Sequence, residues 1–232
     1  MNVVELAQSL IRINSVTPDG LSKKAKNAGE QELADWLVSF FGGHGLECEL
    51  DEVEPNRPNL LAGARLNDDG ARPVIAFQAH MDTVDVEGMT IDPFAANISD
   101  GYLFGRGACD VKGPMAAMLT AMIAYHRSHP DPPFKLVFLG TMAEETGTQG
   151  ARHFARKKRK IDHMIVAEPT SLQPVIGHKG VWRFYLEAIG TAVHSSMPWL
   201  GENANEQMID VLNFLKNRVK PEFEAAAGNT LS

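Results

Sequence analysis

The chain contains 232 residues, which is enough for one large domain or two small ones. Its 22 basic and 29 acidic side chains give a net charge of −7, which argues against nucleic acid as the main partner. Two cysteines, Cys48 and Cys109, are too few for a disulfide framework and do not form a Cys-x-x-Cys pair, so we expect a reduced, cytosolic setting. We expect no signal peptide at residues 1–20 and no membrane span, because the longest weakly polar stretch, residues 113–125, is too short to cross a bilayer.

Apolar periodicity predicts two helices and three strands in the first part of the chain. The helices cover residues 2–13 and 29–41, and the strands cover residues 46–52, 59–64 and 74–79. Residues 67–70 have the composition of a tight hairpin-type turn. The continuous apolar run that follows Pro73 is typical of a strand buried on both faces of a parallel sheet.

Strands and helices alternate in the middle of the chain. After a predicted loop over residues 85–101, the pattern predicts a helix at 114–127, a strand at 134–139, a helix at 149–157 and a strand at 164–167. This order predicts the α/β class, with a mostly parallel mixed sheet, right-handed crossovers and helices on its faces.

The pattern changes near residues 177–180, where we place a domain boundary. The first domain is predicted to comprise residues 1–178 and the second residues 179–232. The second domain is predicted to contain a strand at 181–189 and an amphipathic helix at 203–219.

Each predicted buried strand is followed by side chains that can bind a metal: His80 with Asp82, Glu144 with Glu145, and Glu168. Ligands gather at the carboxyl ends of strands in open α/β sheets, so these side chains are expected to share one cleft. Asp110 lies in a glycine-flanked loop between the first two strands and is a further candidate. Taken singly, each has a structural alternative, such as a core histidine capped by a turn aspartate or a solvated turn at residues 144–145.

Several carboxylates in one cleft repel one another unless a cation lies between them. Histidine mixed with carboxylates suits zinc, and cobalt or manganese less well. This many carboxylates indicates two metals about 3.5–4 Å apart, with one carboxylate left to act as the general base. The spacing does not tell which of Glu144 and Glu145 is that base.

Residues 80–84, 105–113, 144–147 and 168–170 occur in the order and spacing of the M20 metallopeptidase family, which this sequence closely resembles. That family includes acetylornithine deacetylase, succinyl-diaminopimelate desuccinylase, aminoacylase and carboxypeptidase relatives. Residues 168–175, followed by His178-Lys179-Gly180, look most like the acetylornithine deacetylase branch. The resemblance implies a zinc-dependent hydrolase that cleaves the linear amide bond of a small N-acyl amino acid in the cytoplasm.

The resemblance also implies a role for each candidate residue. Two zinc ions per active site, or Co²⁺ or Mn²⁺ in their place, would be held by His80, Asp110, Glu145 and Glu168. In this assignment Asp110 bridges the two ions, Glu144 is the general base and Asp82 orients the imidazole of His80.

Residues 179–232 would form part of a ferredoxin-like α+β lid, through which the family forms homodimers. His194 matches the lid histidine that reaches a partner subunit's active site, where it stabilises the oxyanion.

The sequence departs from the family in length. Family members are longer, and a histidine near their C-terminus completes the second zinc site, whereas none of the eight histidines here follows His194. We therefore expect a chain that is incomplete at its C-terminus and hydrolyses poorly or not at all. The alternatives are a desuccinylase, aminoacylase or dipeptidase of the same family, or an inactive fragment that binds metal or dimerises.

Overall fold

The computed structural model describes residues 2–18, 29–64, 66, 72–178, 180 and 184–227. The turn predicted at residues 67–70 lies outside the described residues. The chain divides into two compact units, Met1–Leu172 and Gln173–Ser232.

The first unit contains five helices and seven strands among its described residues. The helices are α1 (Val3–Arg12), α2 (Gln31–Gly42), α3 (Gly113–Ser128), α4 (Glu144–Gly147) and α5 (Gln149–Arg156), with an irregular helical turn at Ala108–Lys112. The strands are β1 (Glu47–Glu54), β2 (Arg57–Gly63), β3 (Val74–His80), β4 (Asn97–Ser99), β5 (Tyr102–Phe104), β6 (Lys135–Thr141) and β7 (His163–Val166).

Local sequence explains where the long helices begin. The Asn2 side chain accepts hydrogen bonds from the N–H groups of Val4 and Glu5, and the Glu5 carboxylate accepts one from the Asn2 N–H. This reciprocal capping satisfies N–H groups that have no partner within α1. Pro114 lies in the first turn of α3, where its missing N–H costs nothing.

The main sheet has five strands in the order β1-β2-β6-β3-β7. The pairs β1/β2 and β2/β6 are antiparallel, and the pairs β6/β3 and β3/β7 are parallel. The predicted α/β class with a mixed sheet is confirmed, and the antiparallel β1–β2 hairpin extends the parallel part at β6. In the parallel part, His80 pairs with Thr141 and Gln78 pairs with Val166, so the carboxyl ends of β3, β6 and β7 lie together.

Apolar side chains cover both faces of this sheet. The larger core lies under α1, α2 and α3, where Leu10, Leu37, Phe41, Met115 and Phe138 are fully buried. A smaller core on the other face joins sheet residues to Phe154 of α5 and to Ile161. Helices therefore hold the sheet from both sides and fix the strand ends.

Residues 85–101, predicted as a loop, contain a strand that the prediction missed. This strand, β4, pairs antiparallel with β5, which begins just after the predicted loop, and Asp100 and Gly101 join the two strands. Each strand is three residues long, which is too short for a clear alternation of polar and apolar residues.

The second unit contains a short 3₁₀ turn at Pro198–Leu200 followed by helices α6 (Ala204–Phe214) and α7 (Lys220–Ala227), joined by a wider turn at Leu215–Val219. The helix predicted at 203–219 is therefore confirmed. The strand predicted at 181–189 is wrong over its described part, because residues 184–189 form no strand. An extended segment needs a neighbouring ladder for its N–H and C=O groups, and this described region offers only the bridge between Thr191 and Glu202. None of the described helices has the length and apolar character that a membrane crossing requires.

Candidate metal centre

The candidate site lies where the parallel strands end. His80 is the last residue of β3, and Thr141, the last of β6, lies beside it in register. The chain leaves β6 through Met142 and Ala143 and enters α4 at Glu144. On the other side of β3, the N–H of Ala167 donates to the carbonyl of Gln78 at 2.8 Å, so Glu168 follows directly at the same edge.

Three predicted ligands come together at this edge. His80, Asp110 and Glu145 each offer one ligand atom, and these atoms all lie within 4.8 Å of one another. His80 is buried, Glu145 is half-buried and Asp110 is exposed. The cluster is therefore open on one side, as a site that admits substrate must be.

Hydrogen bonding fixes the orientation of the His80 ring. Its Nδ1 lies 2.9 Å from the backbone carbonyl oxygen of Asp82, which can only accept, so Nδ1 carries the proton. Its Nε2 faces the centre and lies 2.9 Å from Asp110 Oδ1. The imidazole thus directs Nε2 at the other ligand atoms, and an N–H with a carbonyl partner is the usual support for a metal-bound histidine.

Asp82 was predicted to orient His80 through its carboxylate, but the closer contact is the one made by its backbone carbonyl. Its Oδ1 lies 3.5 Å from His80 Nδ1, which is beyond a good N–H···O hydrogen bond. The carboxylate instead accepts from the N–H groups of Glu144 and Glu145, each at 3.0 Å, through its two oxygens. One buried aspartate therefore supports the histidine with its backbone and the glutamate pair with its side chain.

The charges of the cluster act on one another. Burial would lower the pKa of His80, but the contacts with Asp82 and Asp110 outweigh it and raise that pKa to about 10. Burial raises the pKa of Glu145, and the negative charges of Asp110, Asp82 and Glu144 raise it further, against the effect of His80. A cation among these oxygens would relieve the repulsion.

Glu168 and His194 differ from the three clustered ligands. Glu168 is exposed and outside the group whose atoms lie within 4.8 Å, although partial burial of its carboxyl and the charges of Asp110 and Glu144 raise its pKa against the effect of His80. His194 belongs to the second unit, where it is exposed and its Nδ1 lies 2.8 Å from Ser196 Oγ.

Lys112 is a buried residue near the centre that the sequence analysis did not single out. Its Nζ donates to the carbonyl of Ile13 at the end of α1, at 2.6 Å, and burial lowers its pKa to about 7. Lys112 thereby ties the turn that carries Asp110 to the first helix. Its position two residues after Asp110 gave no signal of burial, because lysine is almost always exposed.

The donor set fits a divalent cation. One imidazole nitrogen and two carboxylates converge, and nitrogen with oxygen ligands is a set that zinc accepts. Glu144 is the neighbouring carboxylate that is not part of the cluster.

Comparison with known proteins gives consistent relatives. A model of peptidase family M20/M25/M40 matches residues 76–228. A probable succinyl-diaminopimelate desuccinylase of Staphylococcus epidermidis is 35% identical over 202 residues, which is 85% of this chain and 49% of that protein. An acetylornithine deacetylase of Vibrio vulnificus is 34% identical over 212 residues, covering 90% of this chain and 54% of that protein.

A solved tripeptidase from Staphylococcus aureus superposes with a TM-score of 0.61 at 21% identity, over 91% of this chain and 55% of that one. This likeness bears on the fold alone. The chain spans about half the length of the curated relatives it matches.

Proposed function

The chain belongs to peptidase family M20/M25/M40, and we propose that it is a zinc-dependent hydrolase of the amide bond in N-acyl amino acids, similar to acetylornithine deacetylase. The observation that carries the proposal is the convergence of His80, Asp110 and Glu145 beside a further carboxylate, Glu144. Metals with a spare carboxylate beside them can activate water for attack on an amide.

His80, Asp110 and Glu145 would hold zinc through their clustered atoms. The family resemblance adds Glu168 as a ligand and implies that two ions would share Asp110. When bound, zinc would polarise the acyl carbonyl and lower the pKa of the attacking water. The N–H of His80 Nδ1, which donates to the Asp82 carbonyl, would keep Nε2 directed at the clustered ligand atoms.

Glu144 is the proposed general base. It directly precedes the clustered ligand Glu145, and its charge raises the pKa of both Glu145 and Glu168. It would take the proton from the attacking water and pass it to the leaving amine. The Asp82 carboxylate would keep Glu144 and Glu145 in their separate roles, because it holds both of their N–H groups.

The second unit is proposed to act as a lid and dimerisation domain, and the first as the metal-binding catalytic domain. His194, as an exposed imidazole of the second unit, would stabilise the oxyanion in a partner subunit's site. This part of the proposal rests on family resemblance and on the exposure of apolar side chains along α6 (Ile209, Leu212 and Phe214).

The proposed substrate class follows from the relatives' names. A desuccinylase and a deacetylase both remove an acyl group from the nitrogen of an amino acid. We take N-acetylornithine as the first candidate, because residues 168–175 and 178–180 look most like that branch. N-succinyl-diaminopimelate is the second candidate, favoured by the 35% identity to the Staphylococcus epidermidis protein. A cytosolic location fits two unpaired cysteines.

The test begins with metal. Protein dialysed after zinc loading should retain at least one divalent ion, and His80→Ala should lose it, as measured by elemental analysis. Folded protein that retains no metal would contradict the proposed site.

Zinc-loaded protein is expected to turn over slowly, and any turnover should release amine from N-acetylornithine faster than from N-succinyl-diaminopimelate or a simple dipeptide. Glu144→Gln is the matched control, since it keeps the ligands and removes the base. Faster turnover of N-succinyl-diaminopimelate would make that compound the proposed substrate. Metal-loaded protein that turns over none of the three would favour the alternative of an inactive fragment that binds metal.

A further inference from the structure

The chain between β6 and the glutamate pair is held by side chains from other parts of the first unit. Four consecutive N–H groups each donate to a side-chain oxygen: Met142 to Asn59 Oδ1 at 3.1 Å, Ala143 to Glu30 Oε1 at 3.0 Å, and Glu144 and Glu145 to Asp82 Oδ1 and Oδ2 at 3.0 Å each. The acceptors come from β2, from the start of α2 and from the segment after β3. A series of this kind defines the path of the backbone one residue at a time.

The first two of these N–H groups need their acceptors because they are in the interior. Met142 and Ala143 are both fully buried. Ala143 also has a left-handed backbone, with φ of 54°, so the chain turns sharply at the residue before the pair. Without partners, buried N–H groups favour a different backbone path that would expose them.

The Glu30 side chain binds the turn before the glutamate pair and does not cap a helix. It directly precedes α2, but its side chain makes no capping hydrogen bond there. It is completely buried, and Arg57 binds both of its oxygens, with Nε to Oε2 at 2.8 Å and Nη2 to Oε1 at 2.9 Å. The planar guanidinium fixes the carboxylate in one orientation, and that orientation directs Oε1 at the Ala143 N–H.

Asn59 holds the other side of the turn. Its Oδ1 accepts from the Met142 N–H, and its Nδ2 donates at 2.8 Å to the carbonyl of Gly150 in α5. Gly150 permits this approach, since a Cβ there would lie 2.4 Å from Asn59 Oδ1 and 2.6 Å from the Met142 nitrogen. One buried amide thus joins the end of β6 to the start of α5, on either side of the short helix α4 that carries the glutamates.

We propose that Glu30, fixed by Arg57, and Asn59 are positioning residues for Glu144 and Glu145. By holding the two preceding N–H groups, they set where Glu145 meets His80 and Asp110, and keep Glu144 apart from that cluster. The roles of the two glutamates come from the proposed function, whereas their placement by Glu30 and Asn59 can be tested without turnover.

The test compares two double variants that differ at residue 30, where one side chain offers an amide oxygen to the Ala143 N–H and the other offers no such acceptor. In Glu30→Met with Arg57→Met, a buried ion pair becomes an apolar contact of similar volume, a change that folds often tolerate. In Glu30→Gln with Arg57→Met, the amide oxygen can still accept from the Ala143 N–H. Any loss shared by both variants belongs to the ion pair of Glu30 with Arg57, and any difference belongs to the amide at residue 30.

The first measurement is a titration with Co²⁺ followed by its visible absorption, which reports affinity and ligand geometry. We call Glu30→Met with Arg57→Met the methionine pair and Glu30→Gln with Arg57→Met the glutamine pair. We expect the methionine pair to bind Co²⁺ about 10–100-fold more weakly than the glutamine pair, which is the range for residues that support metal ligands. Leu60→Ala is the stability control, because Leu60 is buried in the same strand as Asn59 and pairs with Gly140 instead of the turn. It should lower the melting temperature and leave Co²⁺ affinity unchanged.

The second measurement is amide hydrogen exchange at residues 143–145. The methionine pair should lose protection at Glu144 and Glu145 as well as at Ala143, although Glu30 does not bond the first two. Asn59→Leu should likewise lose protection at Met142 and, beyond it, at Glu144 and Glu145. Protein that binds no Co²⁺ is judged by this exchange alone.

Equal Co²⁺ affinity and equal exchange in the two double variants would overturn the proposal. A loss of Co²⁺ affinity in Leu60→Ala as large as that in the methionine pair would also overturn it, because the effect would then come from global stability. Absence of turnover in the parent protein bears on the proposed function only. Where there is turnover, the methionine pair should lower kcat and leave KM within about threefold, since substrate contacts are not removed.

Discussion

Asp82 is the residue on which both halves of the candidate centre depend. Its carbonyl holds the His80 ring at 2.9 Å, and its two carboxylate oxygens hold the N–H groups of Glu144 and Glu145. The sequence placed Asp82 beside His80 because side chains two residues apart share a face of an extended chain. The contact with the glutamate pair could not be predicted, since it joins residues 62 and 63 positions apart.

Asp82→Asn is expected to weaken metal binding about 10–100-fold, as loss of a supporting contact does. The backbone contact with His80 is kept, but an amide offers one oxygen where the carboxylate offered two, so one glutamate N–H faces an NH₂ group. Zinc titration calorimetry measures the change. Asp85→Asn is the matched control, because the Asp85 carboxylate accepts from the N–H groups of its own neighbours Val86 and Glu87. Similar losses in both variants would argue against this role for Asp82.

Glu144 and Glu145 are neighbours whose substitutions should have different effects. Glu145→Gln should weaken metal binding, because Glu145 is one of the three clustered ligands. Glu144→Gln should keep the metal and lower kcat about 10²–10⁴-fold, the usual contribution of a general base. Metal stoichiometry and steady-state kinetics separate the two effects. If Glu144→Gln leaves kcat within a few-fold of the parent protein, the assignment of the base is wrong.

At the scale of elements, prediction succeeded where the apolar pattern is long. Helix α1 and strand β3 differ from their predicted bounds by no more than one residue at either end. The β4–β5 hairpin was missed because its strands are three residues long, and α4 because four residues carry no helical period. The predicted strand at 181–189 failed over its described part since pattern alone supplies no partner strand.

The two cysteines differ in burial, because Cys48 lies in strand β1 and Cys109 lies exposed in a helical turn. Cys48 pairs with Ala62 of β2 and packs against the main core, and burial raises the pKa of its thiol to about 11. At pH 8 about one Cys48 thiol in a thousand is then the reactive thiolate, and this fraction should rise about tenfold per pH unit until the pKa is reached. Cys109 is exposed in the turn before Asp110.

Iodoacetamide at pH 8 should therefore label Cys109 quickly and Cys48 slowly, as followed by mass spectrometry of the single variants Cys48→Ser and Cys109→Ser. Raising the pH to 10 should speed the labelling of Cys48. Equal rates for the two thiols at pH 8 would show that β1 does not bury Cys48 as described.

For the whole molecule, the sheet order decides which residues meet. His80, Asp110 and Glu145 are up to 65 positions apart, and the parallel pairing of β3 with β6 brings the two strand ends together. That ligands follow strand ends could be predicted from sequence. The sequence could not predict which atoms converge. Nor could it predict that the buried side chains of Glu30 and Asn59 hold the turn before the glutamate pair, because burial of a charged or amide side chain leaves no local pattern.

The first unit should fold and bind metal by itself. Among the described residues, every buried apolar side chain lies between Leu6 and Ala167, and the three clustered ligands lie within the same range. A chain that ends at Leu172 should therefore keep its helical circular dichroism and bind Co²⁺ within about threefold of the 232-residue chain, as expected of a domain with its own core. Asp110→Ala in the shortened chain is the control and should weaken that binding. An unfolded shortened chain, or one that has lost its Co²⁺ affinity, would mean that the second unit contributes to the centre directly.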